Sequence, residues 1–223
     1  FFTAIANCPP GSPFFPVAYG DGRLRFALAV EAADMARVAF QPARTLAEAR
    51  DNLRVSIEAH AAQLVVAAER LASDFDISFG GIDFSLAPFP TADRSLGGAL
   101  EDLGVAQVGT AGSLFAAALV AEAIQRADFP RCGFSGVMLP VLEDSVLAAR
   151  AASGTLDITA LLTYAAVCGV GLDTIPLAGD TTTAQIAALP LDVAALAVPV
   201  NTPLPARLTP RPAQASARPK PQL

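Results

Sequence analysis

Short apolar runs alternate with longer alanine-rich segments along the whole chain, and this alternation limits the fold more than any other feature. The apolar runs predict strands at residues 1–7, 24–30 (or the entry to the next helix), 77–84, 105–108, 132–142 and 203–208 (or an extended edge). The other segments predict helices at residues 31–40, 45–73, 95–103, 113–126, 145–152, 157–166 and 181–197, the last interrupted by Pro190. Strands alternating with helices indicate a single α/β domain, which we place at residues 1–209.

The clearest helix is the one at residues 45–73. Thr45 followed by Glu48 is a capping-box pattern at its start. The only histidine, His60, lies on this helix without a second ligand, which favours packing or surface exposure over catalysis. The apolar stripe recurs at intervals of three, four or seven and consists of Leu46, Ala49, Leu53, Ile57, Leu64, Ala68 and Leu71.

Composition argues against several classes of protein. A net charge of -6 without a cluster of lysine and arginine argues against nucleic acid or an anionic membrane surface as the main partner. No uninterrupted apolar run approaches the roughly 20 residues that a membrane-spanning helix needs. Cys8, Cys132 and Cys168 show no CxxC spacing, which indicates neither a disulfide scaffold nor a zinc knuckle. We therefore expect a reduced, cytoplasmic protein.

Proline marks a loop near the start of the chain and a segment at its end. Residues 9–16 contain four prolines and two phenylalanines, so this loop is rigid and its rings either line a pocket or fill the core. Residues 210–223 are proline-rich and aperiodic, which predicts a poorly ordered tail. Because the chain opens on Phe1-Phe2, inside a predicted strand, we expect a fragment of a longer polypeptide.

The densest group of chemically capable side chains lies in residues 164–183. Cys168 ends an apolar segment, two glycines follow, and Asp173 interrupts a short hydrophobic run before Asp180. Cys168 and Asp173 are the candidate catalytic residues. The neighbouring carboxylates would raise the pKa of the Cys168 thiol, which disfavours nucleophilic catalysis. The alternative is structural: both aspartates cap turns and Cys168 is a small buried hydrophobe.

Acidic residues elsewhere could meet this stretch in one pocket at the strand ends. Asp83 lies near the end of a predicted strand, and Glu143 and Asp144 either cap the following helix or point toward Asp173. Converging carboxylates repel one another unless protonated or bridged by Mg²⁺ or Ca²⁺, and one metal requires them within about 10 Å. The candidate metal ligands are Asp83, Glu143, Asp144 and Asp180, and the candidate substrate-binding residues are Asp83, Ser85, Ser135, Thr174 and Thr181.

Five motifs resemble one known family over residues 1–210. They are NCPPGSPFFPVAY, FGGIDFSLAPFP, GFSGVMLPVLEDS, YAAVCGVGLDTIPLAGDT and NTPLPARLTP, in this order. The family is DUF711, also called UPF0210, and the chain resembles its C-terminal half. The family is similar in fold to glycyl radical enzymes of the pyruvate formate-lyase kind, which have a ten-stranded α/β barrel. The resemblance therefore implies five or six barrel strands with outer helices.

The resemblance also bears on function. The glycyl radical motif has no match in this chain, so the radical reaction does not transfer with the fold. By analogy, the cysteine that meets substrate on an inserted loop of such barrels corresponds to Cys168. Some relatives are encoded beside ACT-domain proteins, which implies a second hypothesis: a non-catalytic, amino-acid-like sensor or regulatory subunit. Pairing with the missing N-terminal half or self-association is expected, and from Arg211 onward the chain departs from the family pattern.

Overall fold

The computed structural model describes residues 2–10 and 20–211. The strands are β1 (Phe2–Ala6), β2 (Arg25–Glu31), β3 (Ser78–Ala87), β4 (Leu172–Leu177) and β5 (Leu204–Pro210). The helices are α1 (Ala33–Phe40), α2 (Leu46–Phe75), α3 (Leu96–Asp102), α4 (Ser113–Arg126), α5 (Ser145–Ala152), α6 (Ile158–Cys168) and α7 (Thr183–Ala197), with a 3₁₀ turn at Ala92–Arg94. The prediction of a mixed α/β architecture is confirmed.

The strands form two small sheets. In the first sheet β5 is central, with β1 antiparallel on one side and β4 parallel on the other. In the second sheet β2 and β3 are parallel. The described strands do not close into a barrel, and the predicted tail beyond residue 211 lies outside the described residues.

The segment between α4 and α5 connects the two sheets. Arg131 forms a parallel bridge with Ile82 of β3, and the chain then continues between β3 and β4. On the β3 side, the Met138 N–H donates to the Ser85 carbonyl oxygen (3.2 Å). On the β4 side, the Val137 N–H donates to the Cys168 carbonyl oxygen (3.1 Å) and the Val141 N–H to the Asp173 carbonyl oxygen (3.3 Å). The order across the molecule is therefore β2, β3, this segment, β4, β5 and β1.

Two of the predicted strands are wrong. Residues 132–142 are extended but irregular, because Ser135 adopts a φ of 42° and Pro140 removes a backbone donor. Residues 105–108 form turns between Gly104 and Gly109, whose φ angles of 95° and 106° cannot continue a strand. The expected interruption of the last helix is also wrong, since Pro190 lies inside a continuous α7.

The long helix α2 begins where its capping residue predicts. The Thr45 hydroxyl accepts from the Glu48 N–H (3.1 Å), while the Glu48 carboxylate reaches one residue further back than a capping box requires, to the Arg44 N–H (2.7 Å). His60 is exposed and its ring packs edge-on against Phe84 of β3, with centroids 6.1 Å apart, as the expectation of packing or surface exposure states. No described helix is long and apolar enough to cross a membrane.

Candidate functional site

Three neighbouring extended segments each carry one non-glycine residue in the left-handed backbone region. These are Leu86 on β3 (φ 49°), Ser135 on the connecting segment (φ 42°) and Thr174 on β4 (φ 43°). The pairing register shifts at the same places on β3 and β4, so the strands are bulged there. Bulges and strained φ angles concentrate beside functional sites, because the surrounding structure must stabilise them. These strained residues therefore indicate a candidate site among the polar side chains between β3 and β5.

The first polar group is the Asp83 clasp, formed by Asp83, Ser85 and residues 133–135. The Asp83 carboxylate accepts from the Phe134 N–H (2.9 Å), the Ser135 N–H (2.9 Å) and the Ser85 hydroxyl. The Ser135 hydroxyl in turn accepts from the Phe84 N–H (3.2 Å). Burial raises the pKa of Asp83, and the three hydrogen bonds offset part of that shift.

The clasp contains three of the predicted substrate-binding residues, Asp83, Ser85 and Ser135. Asp83 is in the middle of β3, because the strand continues to Ala87, so its predicted position at the strand end is wrong. The carboxylate is only 5% exposed, and both of its oxygens already accept hydrogen bonds from the protein. The contacts of the clasp hold the connecting segment onto β3.

The second polar group surrounds Arg207 of β5. Arg207 Nη1 donates to Asp173 Oδ1 (2.6 Å), and its Nη2 lies 3.4 Å from Glu143 Oε1. Asp173 is 2% exposed, whereas the Glu143 side chain is 47% exposed. The ion pair between Arg207 and Asp173 is therefore buried, and Glu143 marks the side that is open to solvent.

Several unpaired buried oxygens belong to residues that neighbour this ion-pair network in strand register or in sequence. Within residues 2–10 and 20–211, the buried side-chain oxygens without a hydrogen-bond partner are Asp173 Oδ2, Thr174 Oγ1, Ser145 Oγ and Thr3 Oγ1. Thr3 is directly opposite Arg207 in the antiparallel β1–β5 pair, so the two side chains share a face. Ser145 follows Glu143 by two residues, and Thr174 follows Asp173. We call Thr3, Glu143, Ser145, Asp173, Thr174 and Arg207 the Arg207 cluster.

An unpaired buried oxygen costs about 1–3 kcal/mol and calls for an explanation. One such oxygen is unremarkable in a chain of this size. Here Asp173 belongs to the ion pair itself, Thr3 is opposite Arg207 in the strand pairing, and Thr174 and Ser145 follow Asp173 and Glu143 by one and two residues. The arrangement is typical of a site whose hydrogen-bond partners come from a bound molecule.

The charges of the cluster determine its acid–base behaviour. Burial and, to a lesser extent, the nearby Glu143 carboxylate raise the pKa of Asp173 to about 6 against the opposing effect of Arg207. A carboxyl group with this pKa is present in both protonation states near neutral pH. It can therefore accept or donate a proton, as the predicted catalytic role of Asp173 requires.

Cys168 is close in sequence but occupies a different environment. Its thiol is 2% exposed and donates to the Val170 carbonyl oxygen at 3.1 Å. Burial raises its pKa to about 12. The expected direction of the shift is confirmed, but its cause is burial and not the carboxylates. A protonated, hydrogen-bonded thiol matches the alternative interpretation of Cys168 as a small buried hydrophobe better than that of a nucleophile.

The other candidate residues lie apart from the Arg207 cluster or only at its border. Asp144 caps α5 through the Val146 and Leu147 N–H groups, so of the two roles left open for it, capping is the one observed. Asp180 is exposed, and the Thr181 hydroxyl donates to the Ala178 carbonyl oxygen at 2.7 Å. Among the described residues, no three His, Cys, Asp or Glu side chains converge enough to share a metal ion. A site for Mg²⁺ or Ca²⁺ stays a prediction.

Three members of the cluster were not predicted from the sequence: Thr3, Ser145 and Arg207. One signal was available, because Arg207 is a charged residue within the short run Leu204–Pro210, whose first five residues are all buried. A buried arginine requires a carboxylate partner, and Asp173 interrupts the other apolar run near the end of the chain. Thr3 and Ser145 carry no comparable signal, since their contribution depends on strand pairing.

The pKa of Asp173 predicts a pH-dependent stability. Because the folded-state pKa is raised above the unfolded value, the contribution of Asp173 to stability is fully present below about pH 4 and is lost as the pH rises through about 6. We expect the unfolding free energy to decrease by about 2 kcal/mol between about pH 4.5 and 7.5 from this group. Urea unfolding of the complete protein and of Asp173→Asn should show that this slope is absent from the variant; equal slopes would contradict the assignment.

Comparison with known proteins adds a family match to this geometry. The family model described as "Uncharacterised ACR (DUF711)" matches residues 1–216. A UPF0210 protein of Pyrobaculum aerophilum is 36% identical over 220 residues, covering 95% of this chain and 49% of the relative. A UPF0210 protein of Limosilactobacillus reuteri is 40% identical over 151 residues, covering 66% of this chain and 33% of the relative. The chain thus spans about half the length of the first of these relatives.

Proposed function

The chain belongs to the DUF711 (UPF0210) family of uncharacterised proteins, and from its geometry we propose that the Arg207 cluster binds a small polar molecule with which Asp173 exchanges a proton. The single observation that carries the proposal is that the buried ion pair and its neighbours in strand register and sequence include four unpaired buried oxygens. A bound molecule with hydrogen-bonding groups would satisfy these oxygens and offset the cost of burying them.

Strain supports the same assignment. Thr174 is a β-branched residue at a φ of 43°, which is an unfavourable conformation for its type. It is 4% exposed, and its hydroxyl oxygen has no partner among the described residues. A residue that is both strained and unsatisfied contributes little to folding, so a role in binding accounts for it better than a structural one.

The proposed role of Asp173 is proton transfer. Arg207 holds one carboxylate oxygen in place, which leaves the other oxygen available to a bound molecule. A carboxyl group whose pKa is near 6 balances proton affinity against proton release close to neutral pH, which is favourable for a general acid or base. Cys168 is not needed as a nucleophile in this scheme.

The rest of the pocket would come from the part of the family's length that this chain does not span. The five extended segments from β2 to β5 are parallel and adjacent, and β2 and β1 are the outer strands of the described residues. We propose that further strands pair beside them and complete the barrel that the family resemblance implies. Asp83, Ser85 and Ser135 would then support the wall next to the cluster.

The proposal is tested with the complete protein in ligand-detected NMR against small polar molecules, followed by deuterium incorporation into each binder. We expect the wild type to bind members of one chemical class and to exchange a carbon-bound proton of the ligand with solvent. Asp173→Asn should slow this exchange by about 100-fold or more, because general acid–base catalysis contributes factors of this size.

A matched control is Thr163→Val on α6, whose exposed hydroxyl donates to the Thr159 carbonyl oxygen outside the cluster. This variant should bind and exchange like the wild type, whereas Thr174→Val should weaken binding. Unchanged binding and exchange in both Asp173→Asn and Thr174→Val would overturn the proposal. Far-ultraviolet circular dichroism of each variant separates these outcomes from unfolding.

The second candidate function is a non-catalytic sensor or regulatory subunit, with an ACT-domain protein as a proposed partner. The burial of Cys168 favours it, because this candidate catalytic thiol is protonated and already hydrogen-bonded. The sensor hypothesis predicts binding that raises the melting temperature without any proton exchange in the ligand. Binding without exchange in the experiment above would therefore select the sensor over the enzyme.

A further inference from the structure

The charges of the Arg207 cluster indicate which chemical class of molecule it takes. The cluster contains two carboxylates, Asp173 and Glu143, and one guanidinium, and both carboxylates lie within 3.4 Å of Arg207. We infer that the molecule bound at the Arg207 cluster carries a protonated amine that donates to Asp173 Oδ2. This inference rests on the proposed function. The hydroxyl groups of Thr174, Ser145 and Thr3 are the remaining acceptors.

An anionic ligand group is disfavoured by these contacts. Arg207 already pairs with Asp173 at 2.6 Å and with Glu143 at 3.4 Å, so its positive charge is compensated. A carboxylate or phosphate placed here would meet two like charges at short range in a poorly solvated site, where such repulsion is strong. The exposed Glu143 side chain would also repel an anion on entry.

A divalent metal ion is disfavoured by the donor set of the cluster. Ca²⁺ takes six to eight oxygen ligands, including carboxylates, and Mg²⁺ takes six in near-ideal octahedral geometry, usually one or two carboxylates and several waters. Asp173 Oδ2 is the one unpaired carboxylate oxygen among the four unpaired buried oxygens, and the guanidinium of Arg207 adjoins the same carboxylate. An ammonium group has three N–H donors and one charge. It can donate to one carboxylate oxygen and two hydroxyl oxygens without displacing Arg207.

The experiment uses probe pairs that differ only in the amine. Ethanolamine is compared with ethylene glycol, and glycinamide with glycolamide, by ligand-detected NMR on the complete protein at neutral pH; acetate and inorganic phosphate are the anionic probes. Each amine should bind at least about tenfold more tightly than its hydroxyl partner, because a hydrogen bond to a charged group contributes about 1.5–3 kcal/mol. Asp173→Asn should remove this preference.

The outcomes separate this inference from the proposed function. If the hydroxyl or anionic probes bind as tightly as the amines, and Asp173→Asn or Thr174→Val weakens their binding, the binding site is supported and the amine inference is overturned. An amine preference that persists in Asp173→Asn also overturns it. If no probe of any class binds to the wild type, both the inference and the proposed function fall. Thr163→Val should retain the amine preference, as the control outside the cluster.

Discussion

Replacing Asp144 by alanine should lower the free energy of unfolding by about 4 kcal/mol, because one carboxylate caps two helices. At α5 it accepts from the Val146 N–H (2.9 Å) and the Leu147 N–H (3.0 Å). At α3 it accepts from the Gly97 N–H (3.0 Å) and the Ser95 hydroxyl (2.6 Å). Asp144 is 1% exposed, so water cannot replace the lost acceptor.

Two further variants make this prediction quantitative by urea unfolding of the complete protein. Asp144→Asn keeps an acceptor oxygen for α5 but presents an amide group to the Gly97 N–H. This variant should lower the free energy of unfolding by about 1–2 kcal/mol. Asp157→Ala removes an exposed cap that accepts a hydrogen bond from the Ala160 N–H in α6, and it should lower the free energy of unfolding by about 1 kcal/mol. Equal losses for Asp144→Ala and Asp157→Ala would refute the bridging role.

Replacing Gly133 by alanine should destabilise the protein by about 4 kcal/mol and loosen the Asp83 clasp. Gly133 has a φ of 60°, and a Cβ at this position would overlap the Asp83 carboxylate. The carboxylate would have to move away from the Phe134 and Ser135 N–H groups while remaining buried. The loss therefore combines backbone strain with an unsatisfied buried acid.

The matched control is Gly169→Ala, since Gly169 has a φ of 71° but open space where its Cβ would be. This variant measures the cost of placing a Cβ at a positive φ alone, and its free energy of unfolding should decrease by about 1 kcal/mol. In a double-mutant cycle, Asp83→Ala should reduce the cost of Gly133→Ala, because the atoms in conflict are then removed. If Gly133→Ala costs no more than Gly169→Ala in thermal or urea unfolding, the contact between Gly133 and Asp83 is not what stabilises the segment.

Local patterns predicted most of the helices well. Thr45 accepts the expected capping hydrogen bond, and Ser95 and Asp157 cap α3 and α6 near the predicted starts of these helices, because a cap and its helix are neighbours in the chain. The same local reasoning failed for residues 132–142, where glycine and apolar residues suggested a regular strand. There Asp83, far away in sequence, binds the backbone of Phe134 and Ser135 and forces the bulge.

The candidate site shows the same division. Asp173 was found from the sequence because a carboxylate inside a short hydrophobic run is unusual wherever the run lies. Its partner was not found, because β4 and β5 must pair before Arg207 meets Asp173. The metal hypothesis required Asp83, Asp173 and Asp180 to converge, but strand register places Asp83 and Asp173 in separate hydrogen-bond networks and leaves Asp180 on the surface.

By itself, the sequence determined that this protein is a mixed α/β structure, which helices it contains and where they begin. Those properties follow from hydrophobic periodicity and capping, which act over a few neighbouring residues. The tertiary structure alone decided which polar groups share a site. Thr3 and Arg207 come from opposite ends of the described chain and meet because β1 pairs with β5. The energetic cost of burying Arg207, Asp173 and their unpaired neighbours depends on that long-range pairing.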